Sequence, residues 1–432
     1  MVRRLAVLAL FALLMPPGAA RAGSKLAGVA TVDLNPGNFR AQLAAHRDDK
    51  GEFREGTLFR LAPGNYRLSA SLYTDSLCGN CENPATPATA TLGLRVAGQG
   101  IVFEGTDPAA TVIHTNAGYG LLFEDCEDCV LRGVTLTDGV RDPDPNATDA
   151  AIVARRSTLR IEDCVIGPNL GDSTAIATNV VGVIGIAGRE GAQLEILGNR
   201  ILRNSWDGIA LYRGASARIE DNVIDGVDKA GGRVAGGGRG VGIGLTWNAT
   251  ASIRRNRVTR YWKGIGVFVN AKALIEENVV EDVLTWGIAL WDAGRGRPQA
   301  RIRRNVIFET GACGISLTRE TGGEAEPGDC AENVLARTGS DARYDDPQRY
   351  CAQCPVSVQA LPEGFVLGEN WGWENRRAVE GVEEQDRGGA DLSTEAFADA
   401  TRSLMTLLRA HPALAGARCF RELPGPLGAG KN

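Results

Sequence analysis

The stretch "RDPDPNATD" sets three carboxylates, Asp142, Asp144 and Asp149, within nine residues. Hard oxygen donors at that spacing suit Ca2+. Turn-forming Asp beside Pro in a solvated loop accounts for the same residues without an ion, and no full calcium-loop signature is present. A second set is aromatic: Trp206, Tyr212, Trp247, Trp262, Phe268, Trp286 and Trp291 recur within one part of the chain. Exposed rings stack on the apolar faces of sugars, whereas buried rings would only hold one segment to the next. A third set is the Cys-x-x-Cys pairs Cys78/Cys81, Cys126/Cys129 and Cys351/Cys354. These suit zinc in a cytosolic chain and disulfides in an exported one. With His46, His114 and His411 as the only imidazoles, a histidine-based triad or multi-histidine metal site is not expected.

The elements that must carry these groups are repeats. An apolar-x-x-Asn-x-apolar step recurs around Asn199, Asn222, Asn256, Asn278, Asn305 and Asn333, with Cys164 in the same slot of "LRIEDCVIG". Successive slots are 35, 23, 34, 22, 27 and 28 residues apart. That spacing gives a basic unit of about 22 residues with insertions, as in solenoids. Each unit alternates apolar with polar or small residues, which asks for strands. A Gly-Ile-x-Leu-type run, such as Gly208 to Leu211 or Gly287 to Leu290, completes it. Three short strands per coil make a parallel β-helix. Stacking the coils turns the Asn slot into a ladder of bonded amides. It also stacks Glu220/Asp221, Arg254/Arg255, Glu276/Glu277 and Arg303/Arg304 so that each pair meets its opposite charge.

Composition agrees with a turn-dense solenoid: 432 residues with 55 Gly and only 11 Phe. A formal charge of -5 predicts attraction to neither nucleic acid nor an anionic membrane surface. Arg3 and Arg4, an apolar run from Leu5 to Met15 and "ARA" ending at Ala22 fit a signal peptide cleaved near Ala22. No later run is long enough for a membrane span. The expected product is a secreted or periplasmic monomer with disulfides. Residues 1–22 are assigned to the signal, 23–91 to an N-terminal cap and first strands, 92–340 to the repeats, and 341–432 to a C-terminal cap. That cap holds a helix near 394–409 opened by Ser393.

The Pro-Gly-x-Tyr start at Pro63, the 22-residue coils, the Asn slot and the Gly-Ile-x-Leu strands resemble the right-handed parallel β-helix proteins of the pectin-lyase-like superfamily, over roughly residues 58–340. The resemblance implies an all-β, single-stranded right-handed solenoid with the ladder at the turn between the second and third strands. Gly-Ile-x-Leu is then the first strand, whose outer face floors a substrate groove. It is specific for fold and weak for function, because the fold hosts many activities.

Aligning the first strands gives the outward columns. Two positions past each Gly stand Ala210, Gly244, Gly266, Ala289 and Ser316, all small. Four past stand Glu124, Arg155, Arg189, Tyr212, Thr246, Phe268, Trp291 and Thr318, with Trp206, Trp262 and Trp286 just before the strands. The expectation is a polysaccharide bound along this face. If it reacts, a lyase or epimerase acting on an acidic glycan is favoured over a hydrolase, because cations outnumber carboxylates. Arg155, Arg189 and Lys263, with Lys229, Arg233 and Arg239 of an insertion, would neutralise charge, and Asp207 would serve acid–base chemistry. A hydrolase would need clustered carboxylates, and Glu124, Asp207 and Asp292 fall on separate coils. The alternative is a non-catalytic β-helix scaffold.

Overall fold

A computed structural model describes residues 30–171, 182–227, 240–318, 328–342, 353–361, 364–376 and 391–425. Three long sheets run the length of the molecule, with 11, 12 and 11 strands. Each coil visits them in turn. Sheet 1 holds the Gly-Ile-x-Leu strands such as Ile209–Leu211 and Lys263–Phe268, sheet 2 strands such as Ser216–Glu220, and sheet 3 strands such as Val223–Asp225. Among the described strands all pairings are parallel except that of Ser71–Asp75 with Ala88–Gln99.

The interior is made of residue columns. In sheet 2 Ile161, Ile196, Ile219, Ile253, Ile275 and Ile302 stand in register, one per coil. In sheet 1 Ile209, Ile243, Ile265, Ile288 and Ile315 do the same. All are fully buried. Each such side chain contributes roughly 1.5–3 kcal/mol by leaving water. A shift of one residue in any coil would turn this column outward, so the pattern sets the register.

The Asn slot lies at the turn from sheet 2 to sheet 3 and forms a continuous ladder. Asn256 Oδ1 accepts from the Asn222 backbone N–H at 3.1 Å and from its Nδ2 at 2.9 Å. Asn256 Nδ2 in turn donates to Ile219 O and Asn278 Oδ1. The residue before each Asn takes a left-handed backbone: Asp221, Arg255, Glu277, Arg304 and Glu332 have φ of 58°, 53°, 60°, 57° and 59°. That conformation is unfavourable for a residue with a Cβ, and the ladder bonds hold it. The flanking charges pair between coils as the repeat requires: Arg255 with Asp221 at 2.9 Å, Arg254 with Glu276 at 3.1 Å and Arg304 with Glu277 at 3.4 Å. These pairs are part-exposed and worth little individually.

The solenoid exceeds the bounds expected from the repeat. At one end Ala30–Leu34 and Thr57–Leu61 already pair in sheet 2. At the other the ladder goes one coil past Asn333, whose Nδ2 donates to Asn370 Oδ1 at 2.8 Å. "GENWGW" therefore continues the repeat. The helix Thr394–Arg409 starts where expected, with Ser393 Oγ accepting from Ala396 N. It lies along the flank rather than over the end: Phe397, Leu404, Met405 and Leu408 pack on Val279, Val306, Phe308 and Val334 of sheet 3. Cys78–Cys81 and Cys126–Cys129 are disulfides, and Cys351 of the third pair lies outside the described residues. Cys164 is a buried thiol, pushed up to about 12 by burial. The signal-peptide segment also lies outside the described residues. No helix among those described is long and apolar enough to cross a membrane.

Candidate functional site

The outer face of sheet 1 is divided in two by a segment the repeat does not foreshadow. After Ser71–Asp75 the chain climbs across this face as a strap before returning as Ala88–Gln99. Asp75 accepts from Arg155 at 2.6 Å and from the Tyr119 hydroxyl at 3.0 Å, and pairs with Arg189 at 3.1 Å. Leu77 O accepts from Arg189 Nη2, and Gly79 O from Arg213. At the tip Asn80 Oδ1 accepts from Trp247 Nε1 at 3.2 Å, and Glu82 pairs with Arg295 at 2.6 Å.

Arg155 and Arg189 do stand on the outward face of sheet 1, but the strap seals them. Their side chains are 6% and 0% exposed, and that of Asp75 is 0% exposed. Arg189 also pairs with Glu190 at 2.6 Å. They form a buried charge cluster that attaches the strap, and no ligand in a groove reaches them. Tyr212 is largely covered by Gly79 but keeps an edge on the cavity described below.

The three acids proposed for Ca2+ are engaged by the protein. Asp142 accepts from the Thr91 backbone N–H at 2.6 Å and its hydroxyl at 3.0 Å, and Asp144 from Thr89 N at 2.7 Å. Asp149 pairs with Arg141 and accepts from Asp142 N at 2.8 Å. Burial pushes the Asp149 carboxyl up to about 7, against the pull of Arg141. Among the described residues no cluster of three or more His, Cys, Asp or Glu is placed to hold a metal. These acids fasten the returning strap to the loop before Ala150–Arg155 and do not fit a calcium site.

Beside the tip of the strap, between the coils of Tyr212 and Phe268, the face opens into a cavity of about 290 Å3. It is produced by an interruption in two columns. Immediately before the strand glycines, successive coils place Trp206-Asp207, Gly240-Val241 and Trp262-Lys263. Val241 is in register with Lys263. Trp206 and Trp262 thus stand two coils apart, ~10 Å by the strand spacing, with a glycine between them. Gly240 has φ +64°, and an added Cβ would meet Asp207 Oδ1 and the Trp206 backbone. Only glycine leaves this slot open. Gly244 lines the cavity from the small-residue column, Phe268 walls it above, Tyr212 and Asn80 wall it below, and Trp247 and Arg295 stand across the strands from the slot.

Among the described lining residues Asp207 is the one carboxyl group. It accepts from Val241 N at 2.6 Å and is bonded to the Tyr212 hydroxyl. Burial pushes it up to about 7, although these bonds and Lys263 favour its charged form. Burial and Asp207 hold Tyr212 protonated, well above the ordinary phenol range. The Lys263 ammonium lies behind the wall, 3.0 Å from the Trp262 ring centre and 4.7 Å from that of Trp286. Trp286 is buried, so it supports Lys263 and does not line the cavity, while Trp291 is 39% exposed with its ring edge-on to Phe268. Of the proposed site residues, the structure gathers Asp207, Tyr212, Trp206, Trp247, Trp262 and Phe268 around one cavity, with Lys263 behind it. Lys229, Arg233 and Arg239 lie outside the described residues. Asn80 and Arg295 complete the site, and no periodic signal marks either of them.

Three-sheet coils, parallel register and the Asn ladder make the fold a right-handed parallel β-helix. A family model described as "Right handed beta helix region" matches residues 89–243. Among solved structures the chain is similar to the Dettilon tailspike protein, with 14% identity, 85% of this chain and 69% of that one covered, and a TM-score of 0.48. It is similar to the periplasmic alginate epimerase AlgG, with 11% identity, 84% and 78% covered, and a TM-score of 0.47. For the pectate lyase Pel9A the figures are 15%, 68% and 80%, and 0.37. No curated protein matches the chain.

Proposed function

We propose that the protein binds an acidic glycan in the Trp206–Gly240–Trp262 slot, and that Asp207 exchanges a proton with it. The observation that carries this reading is a buried carboxyl with a raised pKa, hydrogen-bonded to Tyr212, at the foot of a cavity walled by aromatic rings. Flat apolar walls with a few convergent polar groups suit a pyranose ring, which presents apolar faces and a polar edge. Lys263, whose ammonium lies over the Trp262 ring, favours an anionic ligand.

A carboxyl that titrates near neutrality suits removal of the proton beside a uronate carboxylate. In an elimination the ionised Asp207 takes the proton from C5, and that electron pair forms the C4–C5 double bond. The C4–O bond breaks, and the leaving oxygen takes the Tyr212 proton. In an epimerisation C5 takes a proton from a solvent water on the opposite face, and the hydroxide so formed recovers the proton that Asp207 holds. Hydrolysis needs a second carboxyl facing the first, and the described lining supplies one.

The test uses polymeric and oligomeric uronates with neutral glucans as controls. Ultraviolet absorbance reports unsaturated ends, and NMR in D2O reports exchange at C5. D207N should lower either rate by about 10²-fold or more. Retention on the uronate polymer without absorbance or exchange would overturn the catalytic part, and no retention would overturn binding. The second reading, a non-catalytic scaffold, is favoured by one observation: Asp207 Oδ1 holds the Val241 N–H, which by itself organises the entry to a strand.

A further inference from the structure

The strap bears on how a glycan can enter. Its contacts ascend the solenoid coil by coil, passing from the strands of sheet 1 to the turns that follow them: Asp75 on Tyr119 and Arg155, Leu77 on Arg189, Gly79 on Arg213, Asn80 on Trp247 and Glu82 on Arg295. The direction is that of the solenoid axis, along which a long ligand would have to lie. Below Asn80 the face is therefore covered by the chain itself. Ala88 and Ala90 of the returning strand pack there with Tyr119, Val153 and Ala187, all at most 2% exposed.

The opposite side is also closed. The Phe268 ring folds over Gly266, nearer than any Cβ at that position would permit, and the edge of Trp291 backs it. Gly266 thus gives the ring room to lie down as a wall. Between Tyr212 with Asn80 below and Phe268 above, what remains is a pit and not a trough. At about 290 Å3 it falls at the small end of ligand pockets, ~300–1,000 Å3.

We infer that the site receives the terminal residue of a glycan chain and excludes interior stretches, with the Cys78–Cys81 strap as the element that enforces this. The inference rests on the glycan reading above. An interior stretch would have to continue past both walls, through either Gly79 where it covers Tyr212 or the Phe268 ring. A chain end needs only the open side.

The experiment is titration calorimetry of the wild-type protein with oligogalacturonates and oligomannuronates from dimer to octamer, together with their parent polymers. Terminal recognition requires one site per chain at every length, and an affinity per chain that varies by less than about threefold beyond the trimer. Converting the reducing end to an alditol, or methylating O4 of the non-reducing end, should weaken binding at least about tenfold for whichever end enters. Sites per chain that increase with length, or indifference to both modifications, would overturn terminal recognition and leave glycan binding standing. No heat with any uronate would overturn the glycan reading, and terminal recognition with it.

Discussion

Arg155 donates to Asp75 across 2.6 Å, eighty residues away in sequence, with both side chains sealed from solvent. Arg189 meets the other oxygen of the same carboxylate at 3.1 Å. Two cations on adjacent strands of sheet 1 would repel each other if left facing outward. One carboxylate from the strap bridges the pair, Glu124 and Glu190 supply the rest of the counter-charge, and that half of the face is closed. The charge that looks like substrate chemistry in the linear sequence is thus consumed in attaching the element that shapes the pocket.

Removing that carboxylate while keeping its size isolates the effect. In D75N Arg155 keeps Glu124 and Arg189 keeps Glu190, but the carboxylate that they share and that accepts from Tyr119 is lost, which costs about 1.5–3 kcal/mol. Urea unfolding should show a loss of that order. If D75N unfolds at the wild-type midpoint, the cluster is not sealed as described.

The ladder makes a second prediction. N256A removes the acceptor of the Asn222 N–H and the donor to Ile219 O, both buried. Each orphaned group costs about 1–3 kcal/mol, so a loss of roughly 2–5 kcal/mol is expected. Deleting the Arg304–Glu277 pair, which is part-exposed, should cost under about 1 kcal/mol. Equal losses from the two changes would contradict the division between a structural ladder and weak register charges.

The fold was legible because a solenoid repeats its physics. Ile219, Ile253 and Ile275 have the same neighbours one coil on, so period alone locates them. The site was legible only in part. Asp207, Trp206 and Trp262 could be placed because they precede strand glycines that the repeat aligns. Arg155 and Arg189 were aligned just as well, yet their partner Asp75 comes from a segment with no repeat of its own. Alignment along the coils says which way a side chain points, and nothing about what non-repeating chain lies over it. Asn80 and Arg295 escaped for the same reason. Asn370 was missed differently, since the 37-residue step from Asn333 exceeds the other spacings and obscures the last rung.

The raised pKa of Asp207 predicts a pH dependence with a definite sign. Its carboxyl titrates at about 7 in the folded protein and near the ordinary 3.8 in the unfolded chain. Between those values the folded state holds the proton and the unfolded state does not. The associated stability is full below pH 4 and is lost as the pH rises towards 7. D207N carries a permanently neutral group that still offers an oxygen to Val241 N–H. The melting temperature of wild type relative to D207N should therefore fall between pH 4 and 7.5. Asp149 titrates in the same range but is common to both proteins, so it cancels in the comparison. A difference independent of pH would mean that Asp207 is ionised throughout.

The cavity can be filled without disturbing the solenoid, which separates binding from folding. An added Cβ at Gly244 would meet only the Val241 side chain, at 3.5 Å or more, and no backbone strain attends the position. Leucine there projects into the cavity, and because this buried position faces open space rather than packed atoms, stability should change by less than about 1 kcal/mol. Binding of an oligouronate should drop at least about tenfold, because one side of the ring loses its contact surface. At Gly266, by contrast, even alanine collides with the Phe268 ring and would swing it from its place. G266A therefore alters the upper wall and should relax the preference for chain ends, giving polymer more than one site per chain. G244L with unchanged affinity would remove the cavity from consideration as the binding site.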